Sequence, residues 1–242
     1  MIPAREIGRA AVPGTDEPLV LLQRGTDFEI RIGAALLMTS RTHGSEELLA
    51  ERTCARIAKR PEARVLVGGL GMGFTLAAAL GKLGPTTEVV VADLSPAVVA
   101  WNRDPLAHLA NRPLHDRRVS VEERDVAGLI RGQSDAWDAI LLDVDNGPSG
   151  LTRTANNWLY SAAGLDAALS GLRPGGVLGV WSVTPDRDFG RRLVRAGFQV
   201  EEEQVRARRT KGAKHTIWLA TRPLKATPRP APRSRPRNPQ VR

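Results

Sequence analysis

The chain has 242 residues, 42% hydrophobic and 25% charged, which is enough for one α/β domain with a sizeable core and excludes disorder throughout. Its net charge of +9 is uneven: residues 221–242 hold seven Lys or Arg and no acid, so the remainder carries +2 and is nearly neutral. A single cysteine, Cys54, excludes an internal disulfide or CxxC knuckle, and the four histidines, His43, His108, His115 and His215, show no paired spacing, so no metal site is expected.

The N-terminus MIPAREIGRA carries charges where a signal peptide needs an apolar stretch. No run reaches the roughly 18 apolar residues of a membrane helix, so a cytoplasmic protein with no membrane partner is expected. LVLLQRG and FEIRIG are apolar runs divided by the turn-prone Gly25–Asp27 and followed by AALLM, which makes residues 1–43 a small N-terminal β-hairpin region. Ser45, followed by Glu46 and Glu47, is a helix start with a capping hydroxyl and acids at the positive end of the dipole; the helix is predicted to run to about Lys59, before Pro61. Cys54 repeats with Ala50, Ile57 and Ala58 at helical spacing and reads as a core residue.

From Arg64 the rhythm is strand, helix, strand, helix. Apolar runs at 65–67, 88–92, 119–122, 137–143 and 177–183 are predicted strands, the first four each followed by a turn and a helix-forming stretch, and 186–195 is one more helix. FQVEEEQVRAR and HTIWLA flank the basic turn RTKGAK as an antiparallel hairpin. Residues 44–220 are therefore expected to form one α/β domain, a Rossmann-like sheet of seven mostly parallel strands that ends in that hairpin and is flanked by helices. This is the arrangement of S-adenosylmethionine-dependent transferases. Residues 221–242, rich in proline and arginine, are expected to be a disordered tail. It reads either as a solubilising terminus or as a weak, salt-sensitive contact for RNA, DNA or anionic lipid.

The chemistry concentrates after strand ends. VLV leads into GGLGMGF, where Gly69, Gly71 and Gly73 alternate, and a helix-forming run leads out. Phe74 stands where a dinucleotide fingerprint needs glycine, so the GxGxG loop favours a sulfonium nucleoside over a diphosphate. Asp93 ends the next strand, where an acid accepts from both ribose hydroxyls; its other role is to cap the next helix, for which Ser95 and Pro96 compete. Asp125 can accept from the exocyclic amine of adenine while Val126 offers a backbone N–H to the ring, or Asp125 can be a helix cap. Asp143 ends the fourth strand, where open α/β sheets place ligands, and is the candidate catalytic group. Asp145, Glu47 and Tyr160 are read as substrate-side residues, with the stretch to Tyr160 long enough for a lid.

Together VLVGGLGMGFT, VVVADLSPAVV, DRRVSVEERDVAGLI, WDAILLDVDNGPSG and LRPGGVLGVWS resemble the spermidine synthase family of polyamine aminopropyltransferases, over about residues 31–219. The resemblance implies a class I methyltransferase-type fold with an N-terminal β-region, decarboxylated S-adenosylmethionine as co-substrate, a small-molecule amine as partner, and the dimerisation common in that family. It implies that Asp93 holds the ribose, Asp125 the adenine, and that Asp143 takes the proton of the attacking amine. The family's usual DSSDPxGP is here DVDNGP, and Gly44, Ser45 and Glu46 replace its tyrosine and histidine or glutamine. Two other readings stand beside it: an S-adenosylmethionine-dependent methyltransferase, with Arg41 or loop amides holding the donor carboxylate, and a non-catalytic nucleoside-binding module.

Overall fold

The computed structural model describes residues 3–12, 15–144, 147–148 and 158–224. The N-terminal segment forms four strands, β1 (Arg5–Val12), β2 (Thr15–Arg24), β3 (Asp27–Ile32) and β4 (Ala35–Thr39), paired antiparallel in that order. This is larger than the expected hairpin: β1, REIGRAAV, has no apolar run to announce it, and only Val12 in it is buried. Side chains alternate across β2 and β3, so Leu19, Leu21, Phe28 and Ile30 fall on one buried face. That face joins the core of the following helices and strands instead of building its own.

Helix α1 (Gly44–Ala55) begins at His43 without a side-chain cap and continues as turns to Lys59. Ser45 is not the expected cap. It is fully buried, with its hydroxyl on Glu46 and His215. Leu49, Ala50, Thr53 and Cys54 share the buried face of α1, and the helix lies so close to the sheet that a side chain at Gly179 would come within 2.2 Å of Thr53 Oγ1. Burial pushes the Cys54 thiol up to about 12, so it is an inert core residue at neutral pH.

The expected alternation follows: β5 (Arg64–Gly68), α2 (Phe74–Leu80), β6 (Glu88–Ala92), α3 (Pro96–Arg103), β7 (Val119–Glu122), α4 (Val126–Ile130), β8 (Trp137–Leu142), α5 (Ala162–Gly171), β9 (Leu172–Ser182), α6 (Arg187–Ala196), then β10 (Gln199–Arg208) and β11 (Lys211–Thr221). The sheet order is β10-β11-β9-β8-β5-β6-β7, parallel from β9 to β7, with β11 antiparallel to both its neighbours. β8 is buried along its whole length, as a strand covered on both faces must be. β9 starts ahead of the predicted Val177 because Leu172 already pairs with Trp137, with a register shift before Ala139 meets Val177.

Helix α6 shows how closely local chemistry sets the boundaries: Asp186 Oδ1 accepts from the amides of Asp188 and Phe189 at its start, and Gly197, at φ +107°, ends it. At the far end of β11, Arg222 bonds Asp135 Oδ1 at 2.7 Å and the Leu172 carbonyl, so ordered contacts extend past residue 220. Residues 225–242, the bulk of the basic tail, lie outside the described residues. Among the described residues no helix is long and apolar enough to cross a membrane.

One charge cluster built on a buried acid ties the bottom of the sheet. Asp138 on β8, its side chain 4% exposed, accepts from Arg60 at 2.7 Å, Arg173 at 2.6 Å and the Arg64 amide at 2.8 Å. Asp138→Ala leaves two guanidinium groups and one amide without their acceptor and is expected to cost about 3 kcal/mol in chemical denaturation. It should leave the carboxyl ends of the parallel strands intact, which unchanged hydrogen-exchange protection there would verify.

Candidate active site

The chain leaves β5 for β6 and β7 on one side and returns to β8 and β9 on the other, so the strand order reverses between β5 and β8. A parallel sheet opens a crevice at the carboxyl ends of such strands. Here it is a cavity of about 220 Å³, with the strand ends below and an apolar wall from the N-terminal sheet, including Ile30 and Met38, above. The N-terminal strands are thus part of the site.

The glycine loop lets backbone approach backbone. Gly69 (φ +89°) donates to the Ala92 carbonyl at 2.9 Å, and a Cβ there would lie 2.2 Å from the Asp143 carbonyl oxygen. Gly71 (φ +52°) faces Met38, whose sulfur a Cβ would meet at 2.9 Å, so its bareness lets β4 close over the cavity. Both line the cavity. Gly73, expected with them, does not: at φ +84° it is the N-cap of α2 and faces Asn102 and Pro113. Asn102, unremarked in the sequence, steadies the loop by donating to the Gly71 carbonyl at 2.8 Å.

Asp93, Asp125 and Val126 lie on the cavity at the ends of β6 and β7. Asp93 is not a helix cap, since Ser95 caps α3. Its oxygens accept from the Leu70 and Ser95 amides, both at 2.9 Å, which aims the carboxylate from the strand end. Asp125 caps α4, accepting from the Ala127 amide at 2.8 Å, and also lines the cavity.

Asp143 follows β8, and its amide continues the ladder to the Gly68 carbonyl at 2.9 Å. The Thr75 hydroxyl on α2 donates to Asp143 Oδ2 at 2.5 Å. Burial pushes the Asp143 carboxyl up to about 6, against the lowering effect of that hydrogen bond. Facing the same cavity is Glu46, which is 8% exposed and pushed up to about 7 by burial first and then by the charge of Asp143. The Ser45 hydroxyl donates to Glu46 Oε2 at 2.5 Å and also lies 2.9 Å from His215 Nδ1. Desolvation lowers the pKa of His215, which keeps the ring neutral near pH 7, edge-on to the cavity residue Trp181 at 4.8 Å between centroids.

Other expected residues fall elsewhere. Glu47 is not on the cavity: it points to the other side of α1, where its carboxylate meets Arg209 at 2.8 Å and His43 at 2.7 Å. The cavity acid is its neighbour Glu46, and helix phase reveals this, because positions 46, 49, 50, 53 and 54 share the buried face while 47 and 51 share the Arg209 face. Tyr160 is buried below the site, edge-on to Phe189, with its hydroxyl 3.4 Å from the Val144 carbonyl. It braces Val144, just past β8. Arg41 is outside the cavity and pairs with Asp27 at 3.6 Å. Asp145 and most of the expected lid, residues 145–146 and 149–157, lie outside the described residues. Among the described residues no three or more His, Cys, Asp or Glu converge on a metal-sized point.

No family model and no curated protein matches the sequence. The fold, in contrast, matches spermidine synthases. The structure of spermidine synthase from Thermotoga maritima superposes with a TM-score of 0.72 at 16% identity, covering 92% of this chain and 74% of that one. A spermidine synthase in complex with the transition state analogue AdoDATO gives 0.71 at 14% identity over the same shares. A probable spermidine synthase from Corynebacterium glutamicum gives 0.58 at 15%, covering 89% and 79%. The chain therefore has a spermidine synthase-like fold.

Proposed function

We propose that this protein transfers an aminopropyl group from decarboxylated S-adenosylmethionine to an amine. The observation that carries the reading is the sign of charge at the reacting end of the cavity. Asp143 and Glu46 stand there together, while the only cation among the described lining residues, Arg124, sits beside Asp125 and pairs with Glu122 at 3.2 Å. A donor arm ending in carboxylate is repelled by two acids with no cation to receive it; an arm ending in ammonium is attracted. This favours aminopropyl over methyl transfer. The spermidine synthase in complex with a transition state analogue, to which this fold is similar, supports the same reading.

The nucleoside lies over Gly69 and Gly71, its ribose hydroxyls donating to Asp93 and its adenine amine to Asp125. Its sulfonium is thereby brought toward Asp143. An alkylammonium with a pKa near 10 is about 0.1% free base at pH 7, a handicap of roughly 4 kcal/mol. Asp143, positioned by Thr75, accepts that proton; the amine nitrogen then bonds to the carbon next to sulfur, the carbon–sulfur bond breaks, and its electron pair stays on a neutral thioether, methylthioadenosine. Loss of the sulfonium charge drives product apart from the acids.

Calorimetry on the full chain tests the donor class: methylthioadenosine is expected to bind at least about tenfold more tightly than S-adenosylhomocysteine, whose carboxylate the acids repel. The reverse order would overturn the aminopropyl reading. Mass spectrometry of amines incubated with the decarboxylated donor then reads transfer directly. Asp93→Ala is expected to weaken methylthioadenosine about thirtyfold by removing the ribose acceptor, with its melting temperature as a control for the Leu70 and Ser95 amides it also releases.

A further inference from the structure

The groups along the cleft come in spatial order, because the strands that carry them are neighbours in the sheet. Asp125 follows β7, Asp93 follows β6, Gly69 follows β5, Asp143 follows β8 and Trp181 is on β9. With adenine and ribose at the β7–β6 end and sulfur near the β5–β8 switch, the donor's three-carbon arm points onward, toward β9. Glu46 enters the cavity on that side, from a helix packed onto Gly179 of β9.

Resting on the function proposed above, we infer that Glu46 is the specificity-determining group that takes the terminal ammonium of the donor arm, with Ser45 and His215 as the positioning residues that hold it. A serine hydroxyl has one hydrogen. When Ser45 donates it to ionised Glu46, it can only accept from His215, whose Nδ1 then carries the proton; when Glu46 is protonated the chain runs the other way. The three residues therefore form a hydrogen-bond chain of two polarities, and an ammonium in the cavity selects the one that leaves Glu46 charged. Among the described residues, the ionisable groups around Glu46 are Asp143 from the end of β8, Glu47 next on its helix, held by Arg209 and His43, and His215 of β11 behind Ser45. None is a cation directed at the Glu46 carboxylate, which leaves that place to the ligand.

The experiment compares three probes on the full chain at pH 7.5: methylthioadenosine, which lacks the arm, decarboxylated S-adenosylmethionine, which has the ammonium, and S-adenosylmethionine, which adds a carboxylate. The parent is expected to bind the decarboxylated donor about tenfold more tightly than methylthioadenosine, and S-adenosylmethionine no more tightly than methylthioadenosine. Glu46→Gln should keep methylthioadenosine affinity within about threefold, which shows that the pocket is folded, and lose the tenfold preference. A preference retained in Glu46→Gln, or a parent that binds S-adenosylmethionine as tightly as the decarboxylated donor, overturns the inference while the nucleoside reading stands. A parent that binds none of the three overturns both. For the positioning role the readout is pH: Ser45→Ala removes a bond that favours ionised Glu46, so the pH at which the preference appears should move up by at least about half a unit, and Ser45→Thr should restore it. An unmoved midpoint in Ser45→Ala would leave Ser45 and His215 with a packing role only.

Discussion

Replacing Asp143 by Asn is expected to lower turnover of the decarboxylated donor about a thousandfold while leaving methylthioadenosine affinity within about threefold. Asparagine keeps the size of the side chain and an oxygen to accept from Thr75, so the cavity wall and the α2 contact survive. What is lost is the carboxylate that, in the function proposed above, accepts the amine's proton. The parent's rate should also show an acid limb, rising as pH increases through about 6 while Asp143 ionises, and that limb should be absent from the residual activity of the variant. Stability has its own sign. Folding raises this carboxyl from 3.8 to about 6, so the folded state holds the proton more tightly than the unfolded one, and the empty protein loses stability as pH rises across that window. Asp143→Asn removes that loss, so the variant should melt higher than the parent above pH 6. An unchanged rate in Asp143→Asn, or a variant that melts lower at every pH, would refute the assignment.

Much of the fold is legible in the sequence because its strands are short, apolar and separated by turn chemistry. EVVVA and VSVE begin and end where the residues suggest, and Asp186 and Gly197 punctuate α6 through their own chemistry. β1 is not legible, since its pairing with β2 is backbone to backbone and nearly all its side chains are partly or fully exposed. The site divides the same way. Asp93, Asp125 and Asp143 announce themselves by standing at strand ends, and parallel strands bring their ends together. Ser45 and His215 are 170 positions apart and meet only because α1 packs across the sheet near β11; no local spacing encodes that contact. The choice between Glu46 and Glu47 was readable from helix phase alone. Met38 and Ile30 required knowing that the N-terminal sheet roofs the cavity, a tertiary fact with no signature in either strand.

The glycine loop allows the most severe test of whether this backbone is the floor of the site. Gly69→Ala places a Cβ 2.2 Å from the Asp143 carbonyl oxygen, well inside contact distance, at a φ of +89° that an L-residue rarely adopts. Neither partner can yield cheaply. Gly69 is held by its own bond to the Ala92 carbonyl, and Asp143 by the bond of its amide to the Gly68 carbonyl, so relief requires parting β5 from β6 or from β8 at the switch point. The combined strain is expected to exceed about 4 kcal/mol, enough to leave little folded protein. Any folded fraction should have lost nucleoside binding, because the displaced loop moves Asp143 and Gly71 together. Gly128→Ala is the matched control: Gly128 lies inside α4 with no atom within 4 Å of the new methyl and no left-handed φ, so the same substitution should stabilise by about 0.5–1 kcal/mol. The contrast separates the general cost of changing a glycine from the specific need for bare backbone where Gly69 meets the Asp143 carbonyl. Melting of Gly69→Ala close to the parent, with methylthioadenosine still bound, would mean that the loop is loose enough to rearrange and that the acids are not held in register by it.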